Sequence, residues 1–520
     1  MQGHKIINPK LLYQVSLDDL VSKDNFYRKL SRIIDFHFLY KETANYYGKE
    51  GQESIDPVVF FKIIIVGYLN NIVSDRKLID YCSNCLDIRL FLKYDIDEKL
   101  PWHSTISRTR QLYGEEVFLK LFQEILQKCI QHGMVGGKRQ VIDSAFIKAN
   151  ASLDSLQEKE IIEDLSMYAN ELNNGSEFKV NAKEQIEDEG LTETQNQTVE
   201  SNNIEADNSK HEDRSRRPIS LSNKTHFSPT DPDARISVKP GKRRLLNYLG
   251  QVAVDDRHHL IVGALADFAD KRDSQSLERI VEQTQNNLSI NHLDIGLLFA
   301  DGGYSSGEAL NYLDQKKIDA LIPNHGQYKP FREGFLFNEE LNQYECQRGN
   351  QAILDFRGYD QDKAGNEYKI YRSQQSICKN CPLREQCCGK KTMHKKILDT
   401  IHKALFDKMN ERYKMPDAKN AAKIRSKTVE PVLGSLINYF GMKKVNSKGI
   451  DAATKHCLMS SLCYNLKKMM KFIIRNVESD LKSLRILPKI DQNDSFLNLN
   501  PLLTYIYACI FMSLTKPAKA

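Results

Sequence analysis

The stretch NYLGQVAVDDRHHLIVGALADF, residues 247–268, contains two apolar runs joined by a short polar turn around Asp256. Apolar runs of this length, bounded by polar residues, predict a β-hairpin. Upstream, RQVIDSAFIKANA (139–151) predicts a strand that ends near Asp143. Downstream, the apolar pattern predicts a helix over 273–287, a buried strand in HLDIGLLFADGGY (292–304), a helix over 305–317 and a strand in IDALIPN (318–324). The order strand, hairpin, helix, strand, helix, strand is that of an RNase H-like mixed sheet.

Residues 1–130 have the apolar spacing of helices. Asp56-Pro57 predicts a helix start before VVFFKIIIVGYL, and Ser74-Asp75 predicts a second start before RKLIDYCSNCLDIRLFL. Pro101 stops the chain, and Ser104 is expected to cap the basic helix STISRTRQL, which carries Arg108 and Arg110. This arrangement suits a helix-turn-helix that binds DNA through these two arginines. Ordinary helical packing with an exposed basic face is the alternative.

Charge is unevenly distributed along the 520 residues. The chain has 74 Lys and Arg against 68 Asp and Glu, a net charge of +6. Residues 155–210 hold 14 acidic and 4 basic residues, whereas residues 389–475 hold 20 basic and 6 acidic ones. The composition excludes collagen-like, fully disordered and disulfide-stapled chains. The acidic stretch, poor in aromatic residues, is predicted to be a disordered or surface insertion.

The apolar runs and the cysteines indicate the cellular compartment of the protein. The apolar runs 58–66 and 502–514 are shorter than the roughly 20 residues of a membrane helix, so both are predicted to be buried helices. The start MQGHKIINPKLLYQVSL lacks a secretory signal pattern. An odd number of mostly scattered cysteines, 11, is typical of a reduced cytosolic setting. We therefore expect a cytoplasmic protein.

Three carboxylate side chains lie at positions from which they could take part in catalysis. Asp143 and Asp301 follow apolar strands, and ligands gather at such sheet edges. Glu430 lies in a predicted helix, preceded by Arg425 and Lys427. Oxygen ligands of this kind suit a pair of Mg²⁺ ions, which can act on a phosphodiester. The two basic residues are candidates for contact with the scissile-strand phosphate.

A cysteine cluster lies between the second aspartate and the glutamate. Cys378-x2-Cys381-x5-Cys387 is followed by Cys388 and preceded by Cys346. Four thiolates hold Zn²⁺ tetrahedrally, and a C-x2-C pair is the usual half-site. The predicted zinc ligands are Cys346, Cys378, Cys381 and Cys387, and Cys388 is the alternate ligand. A set of free or redox-sensitive thiols is the alternative.

Several of these segments together resemble a known family. RKLIDYC, STISRTR, VIDSAFIKANAS, SPTDPDAR, ADGGYSSGEAL, TVEPVLGSLINYFGMKK and CYNLKKM occur in this order between about residues 56 and 470. They resemble the bacterial insertion-sequence transposases of the DDE superfamily, in particular the long subgroup with an amino-terminal helical transposase domain and a cysteine-bearing insertion. The resemblance implies that Asp143, Asp301 and Glu430 are the metal-binding catalytic triad. A lysine or arginine expected one to two turns after the glutamate is absent at 436–438, and Lys443 and Lys444 are the candidates to replace it.

The expected fold class is α+β, with a helical DNA-binding domain followed by an RNase H-like mixed-sheet catalytic domain that carries a Cys-rich insertion. The expected domains are 1–130 (helical), 138–324 (first part of the core, with the acidic insertion 155–210), 325–394 (Cys-rich insertion), 395–480 (completion with the glutamate helix) and 481–520 (helical tail). Helices are expected to return from Lys395.

The resemblance implies a Mg²⁺-dependent transposase. It would cut at the terminal inverted repeats of its element and join the ends to target DNA, as a homodimer or larger synaptic assembly associated with the nucleoid. A decayed transposase acting as a non-enzymatic DNA-binding regulator is the alternative, and an RNase H-like nuclease without strand transfer is a third option.

Overall fold

A computed structural model describes residues 15–48, 50, 54–159, 221–237, 244–324, 328, 331–361 and 367–485. Almost all of the acidic stretch 155–210, predicted to be an insertion, and all of the apolar run 502–514, predicted to be a buried helix, lie outside these ranges. No helix in the described part of the chain is long and apolar enough to cross a membrane.

The residues before the sheet form helices. Their bounds are α1 Leu17–Leu20, α2 Phe26–Ile33, α3 Phe38–Thr43, α4 Pro57–Leu69, α5 Asp75–Asn84, α6 Leu86–Leu92, α7 His103–Leu112 and α8 Glu115–Gln131. Helix α4 begins as predicted, because the Asp56 carboxylate accepts the backbone N–H groups of Val58 and Val59. The Ser74 hydroxyl likewise caps α5.

Two details of the helical part differ from the prediction. The segment after Ser74 is two helices rather than one, since the backbone of Cys85 is extended. Helix α7 begins at His103 after an extended Trp102 that makes no side-chain capping bond, so the prediction that Ser104 caps it is wrong. Ser104 is half-buried and already lies inside the first turn.

The central sheet has the predicted mixed topology. Its strands are β1 Arg139–Lys148, β4 Arg235–Ser237, β5 Leu245–Asp255, β6 Leu260–Phe268, β7 Leu297–Phe299 and β8 Asp319–Leu321. The strand order is β4-β5-β1-β7-β8, and β6 pairs with β5 as the predicted hairpin. β1 runs antiparallel to β5 and parallel to β7, which is parallel to β8. Two short strands, β2 Gln157–Glu158 and β3 His226–Phe227, pair apart from it. The α+β fold class is confirmed.

Helices cover the sheet and complete the core. They are α9 Asp273–Ser289, α10 Gly307–Gln315, α13 Lys403–Lys414, α14 Ala421–Tyr439 and α15 Ile450–Arg485. One continuous hydrophobic core includes Phe61 of α4, Val252 of β5 and Leu462 of α15, each essentially inaccessible to solvent. The amino-terminal helices and the sheet are therefore packed together through α15.

The cysteine-bearing region contains a second sheet that the sequence analysis did not predict. Five antiparallel strands, in the order β13-β12-β11-β10-β9, are β9 Phe335–Asn338, β10 Gln343–Cys346, β11 Ile353–Gln361, β12 Glu367–Ser373 and β13 Lys396–Thr400. Two short helices follow, α11 Gln375–Lys379 and α12 Arg384–Cys388. The first contains Cys378, the second contains Cys387 and Cys388, and Cys381 lies between them. Tyr344, Leu354, Tyr371 and Ile397 form a small separate core. The prediction that helices return from Lys395 is wrong, because β13 completes this sheet first.

Candidate active site

Asp143 lies within β1 rather than at its end. The strand continues to Lys148, because every residue from Gln140 to Lys148 pairs with β5. On the other side of β1, the parallel pairing with β7 stops at Val141 opposite Phe299. Asp143 is therefore the second residue beyond the last β7 pair. At Asp143, β1 is no longer paired with β7, so the sheet has a free edge on that side.

Asp301 occupies the matching position beyond the end of β7. It is the second residue after Phe299, just as Asp143 is the second after Val141. The Asp301 carboxylate accepts the Gly303 backbone N–H at 2.9 Å, which fixes it at the start of a single helical turn, Gly302–Tyr304. The parallel register thus brings the two predicted aspartates to the same level of neighbouring strands, close enough for the Asp301 charge to act on Asp143.

Glu430 projects from α14, as the sequence predicts for its helix. Its carboxylate accepts the Ser426 hydroxyl, one turn earlier, at 3.2 Å. The next residue, Pro431, lies inside the helix and has no N–H to donate to the Lys427 carbonyl. Half of the Glu430 side chain is exposed (51%), whereas only 15% of Asp143 is. The glutamate therefore faces solvent at the rim of the site.

Arg425 joins two of the three carboxylates. Its Nη1 lies 3.0 Å from Asp143 Oδ2, and its Nη2 lies 3.7 Å from Glu430 Oε1. The guanidinium is thus a cation placed between the strand aspartate and the helix glutamate, and it ties α14 to β1. Arg425 is predicted from the sequence to contact phosphate, and in the structure its side-chain partners are these two carboxylates.

Burial raises the pKa of Asp143 to about 6. The charges of Asp301 and Asp273 act in the same direction, while the Ser144 N–H and Arg425 oppose the shift by stabilising the carboxylate. A buried carboxylate beside two others favours a proton or a cation. This is the electrostatic environment that divalent ions require.

Asp273 is a fourth acidic residue at this position, and the sequence analysis did not identify it. It is the first residue of α9, and its Oδ1 accepts the Ser144 hydroxyl at 2.6 Å. Its other neighbours are Gln251 of β5 and the buried Tyr304. An acidic residue in the first turn is a common helix feature, so its only sequence signal was indistinguishable from ordinary dipole compensation.

The predicted DNA contacts fall into two groups. Arg108 is exposed on α7, as are Lys427 on α14 and the adjacent Lys443 and Lys444. Arg110 is 8% exposed and forms a bidentate ion pair with Asp75 of α5, at 2.8 and 2.6 Å. The prediction that Arg110 faces DNA does not agree with this placement, because its donors are used inside the protein.

All five cysteines of the cluster line one small cavity of about 20 Å³, the four predicted zinc ligands and Cys388. Cys378 is buried, and its Sγ lies 3.0 Å from the Ser373 hydroxyl. Burial and the neighbouring Cys387 raise the pKa of Cys388 to about 11. The topology therefore brings together thiols from β10, α11 and α12, although they are separated by up to 42 residues in the chain.

Within the described ranges, no three His, Cys, Asp or Glu side chains already surround one point as metal ligands. The donor chemistry nevertheless fits the implied ions. Asp143, Asp301 and Glu430 offer oxygen only, as Mg²⁺ prefers, and the Arg425 guanidinium already acts as a stand-in cation between two of them. Five thiols line the other site, together with Arg384 and Lys395, and thiolate sulfur is a ligand that Zn²⁺ prefers.

Two transposase family models match separate parts of the chain. A family model described as a transposase domain (DUF772) matches residues 15–112, and one described as a transposase DDE domain matches residues 345–470. No curated protein matches the chain. Among solved structures, the chain is similar to one titled a piggyBac transposase synaptic complex with hairpin DNA, at 10% identity and a TM-score of 0.23, covering 92% of this chain and 86% of that one. The second family match includes Glu430 and the cysteine cluster but neither strand aspartate.

Proposed function

We propose that this chain is a DDE-type transposase, which cuts DNA at the terminal inverted repeats of an insertion sequence and joins the ends to target DNA. The observation that carries the proposal is the placement of Asp143 and Asp301 at one level of the sheet, with Glu430 linked to Asp143 through Arg425. The proposed site of action is chromosomal DNA in the cytoplasm.

The carboxylates of Asp143, Asp301 and Glu430 would hold two Mg²⁺ ions. Bound Mg²⁺ supplies activation of the attacking hydroxyl and neutralisation of the leaving oxygen. Asp301 is held by the Gly303 N–H, so its free oxygen keeps a fixed direction. Glu430, whose side chain is half exposed on α14, would complete the metal site from the solvent side.

Basic side chains around the carboxylates would hold the DNA backbone. Arg425 is within reach of the scissile phosphate once its carboxylate partners bind a cation, and Lys427 is exposed one half-turn further along α14. Lys443 and Lys444 are exposed beside the end of β1. Backbone binding of this kind weakens steeply as salt concentration rises. Residues 1–130, with the exposed Arg108, would bind the inverted repeats, and two copies would bring both ends together.

We also propose a structural zinc ion in the insertion, held by Cys346, Cys378, Cys381 and Cys387, with Cys388 as the alternate. Support comes from the shared cavity and from the small size of the core that surrounds it. Such a metal would stabilise a sheet that buries few apolar side chains.

Zinc content tests this assignment. Purified protein is expected to contain one Zn²⁺ per chain, and Cys381→Ser is expected to lower that content. Cys82→Ser, a buried thiol of α5, is the control and should leave it unchanged. Zinc-free protein of unchanged thermal stability would refute the site.

DNA cleavage tests the main proposal. The protein is incubated with Mg²⁺ and labelled DNA that carries the element ends, and the products are separated by size. Asp143→Asn, Asp301→Asn and Glu430→Gln are expected to abolish cutting, while Glu308→Gln, an exposed acid on α10, should cut normally.

Other outcomes identify the alternatives. Cutting that persists in Asp143→Asn would refute the assigned triad. Binding of the ends without cutting by the unmodified protein would support a DNA-binding regulator. Cutting without joining to a target would support a nuclease.

A further inference from the structure

A continuous hydrogen-bond path links the two aspartates of the sheet. Ser144 donates its backbone N–H to Asp143 Oδ1 at 2.8 Å and its hydroxyl to Asp273 Oδ1 at 2.6 Å. Gln251 donates its side-chain Nε2 to the same Asp273 oxygen at 3.4 Å. The Tyr304 hydroxyl donates to the Gln251 side-chain carbonyl. The path therefore runs from β1 through α9 and β5 to the turn that follows Asp301.

Burial makes this path rigid. Gln251 and Tyr304 are fully buried, so their polar atoms cannot exchange partners with water. Tyr304 also donates its backbone N–H to the Asp301 carbonyl at 3.2 Å, which ties the ring to the backbone of the second aspartate. Burial first, and then the charges of Asp273, Asp143 and Asp301, raise the pKa of Tyr304, so its hydroxyl remains a donor.

Close approach of Asp273 to the Asp301 turn depends on Gly303. A Cβ atom at residue 303 would lie 3.0 Å from Asp273 Oδ2 and 3.0 Å from Asp301 Oδ1. Both carboxylates are therefore within about 6 Å of each other across a residue that has no side chain, since each lies 3.0 Å from that one point. Asp273 is therefore bonded to Ser144, which contacts Asp143, and to Gln251, whose partner Tyr304 contacts Asp301.

We propose that Asp273 is a positioning residue of the metal site. Through Ser144 and Gln251–Tyr304 it sets the separation and orientation of Asp143 and Asp301, and so the affinity of the site for divalent ions. This inference rests on the proposed function, because it assumes that these two aspartates bind the ions. Positioning of ligands by such outer hydrogen bonds is worth roughly 10–100-fold in metal affinity at other sites.

Two substitutions at one position separate hydrogen bonding from charge. Asn keeps an oxygen that can accept from Ser144 and Gln251 but has no charge, whereas Ala has neither. Mn²⁺ binding to the full chain without DNA is measured by the loss of the free-ion EPR signal. We expect Asp273→Ala to bind Mn²⁺ about tenfold more weakly and Asp273→Asn to remain within about threefold of the unmodified protein.

Matched variants complete the test. Glu278→Ala, an exposed acid on α9, should bind Mn²⁺ normally. Ser144→Ala should weaken binding, and the double variant with Asp273→Ala should be no weaker than Asp273→Ala alone, because both remove the same link. Thermal unfolding is recorded for each variant, so that a loss of folding is distinguished from a loss of positioning.

The outcomes are distinguishable. Equal weakening by Asp273→Asn and Asp273→Ala would overturn positioning in favour of a direct effect of the carboxylate charge. Unchanged Mn²⁺ affinity in a folded Asp273→Ala would also overturn it. If Asp143→Ala itself leaves Mn²⁺ binding unchanged, the proposed metal site fails, and the positioning role fails with it.

Discussion

Replacing Arg425 by glutamine should increase the affinity of the protein for divalent ions in the absence of DNA. A cation that binds Asp143 must displace the guanidinium 3.0 Å from its Oδ2. Both side chains are mostly buried, at 26% and 15% exposed, so this charged hydrogen bond is worth about 2 kcal/mol. The contact with the exposed Glu430, at 3.7 Å, adds less than about 1 kcal/mol.

Removal of that competition corresponds to a Kd for Mn²⁺ about 30-fold lower, since 1.4 kcal/mol is a factor of ten. The titration is done at pH 8, where Asp143, whose pKa is raised to about 6, is ionised. Lys427→Gln is the control, because it removes an exposed charge from the same helix. The same Arg425→Gln variant is expected to cut DNA more slowly, since the phosphate contact is lost.

Equal or weaker Mn²⁺ binding by a folded Arg425→Gln would refute the reasoning. It would mean that the guanidinium does not occupy the position of the ion. A similar gain in Lys427→Gln would show that the effect is one of overall charge rather than of this contact.

Three more predictions concern the pH dependence of stability and the amino-terminal helices. The folded-state pKa of Asp143, about 6, exceeds its unfolded value of 3.8, so its contribution to stability is present below about pH 4 and lost as pH rises through 6. Metal-free Asp143→Asn should therefore unfold at a higher Tm than the unmodified protein at pH 8 but not at pH 4, and equal differences at both would contradict this. Arg110→Ala leaves Asp75 without its partner and should lower the free energy of unfolding by about 3 kcal/mol. Arg108→Ala should leave stability unchanged and weaken DNA binding, and a loss of stability there would contradict the exposure of that side chain.

The sheet and its aspartates could be predicted because apolar runs mark buried strands directly. Asp301 follows such a run, and the parallel register then brings it level with Asp143. The end of β1 was misjudged for the same reason. Its later residues Ser144 and Lys148 are polar, yet pairing with β5 continues through them.

Other features depend on partners that are distant in the chain. Arg110 is buried because Asp75, 35 residues earlier, lies beside it, and a short basic helix gives no sign of which arginine will be paired. The five-stranded sheet of the insertion went unrecognised because its strands mix charged and exposed residues, as in EYKIYRS, and bury only a small core. Asp273 is visible as a site residue only once β1, β5 and α9 are assembled.

The strand that contains Asp143 also sets the distance between the proposed catalytic site and two of the proposed DNA-binding lysines. Lys148, five residues further along β1, pairs with the segment that holds Lys443 and Lys444 through two backbone hydrogen bonds, at 3.1 and 2.9 Å. Five residues of extended strand span about 17 Å. That span equals about five base pairs of duplex DNA at about 3.4 Å each. We therefore expect these lysines to act on DNA that flanks the cut rather than on the scissile phosphate.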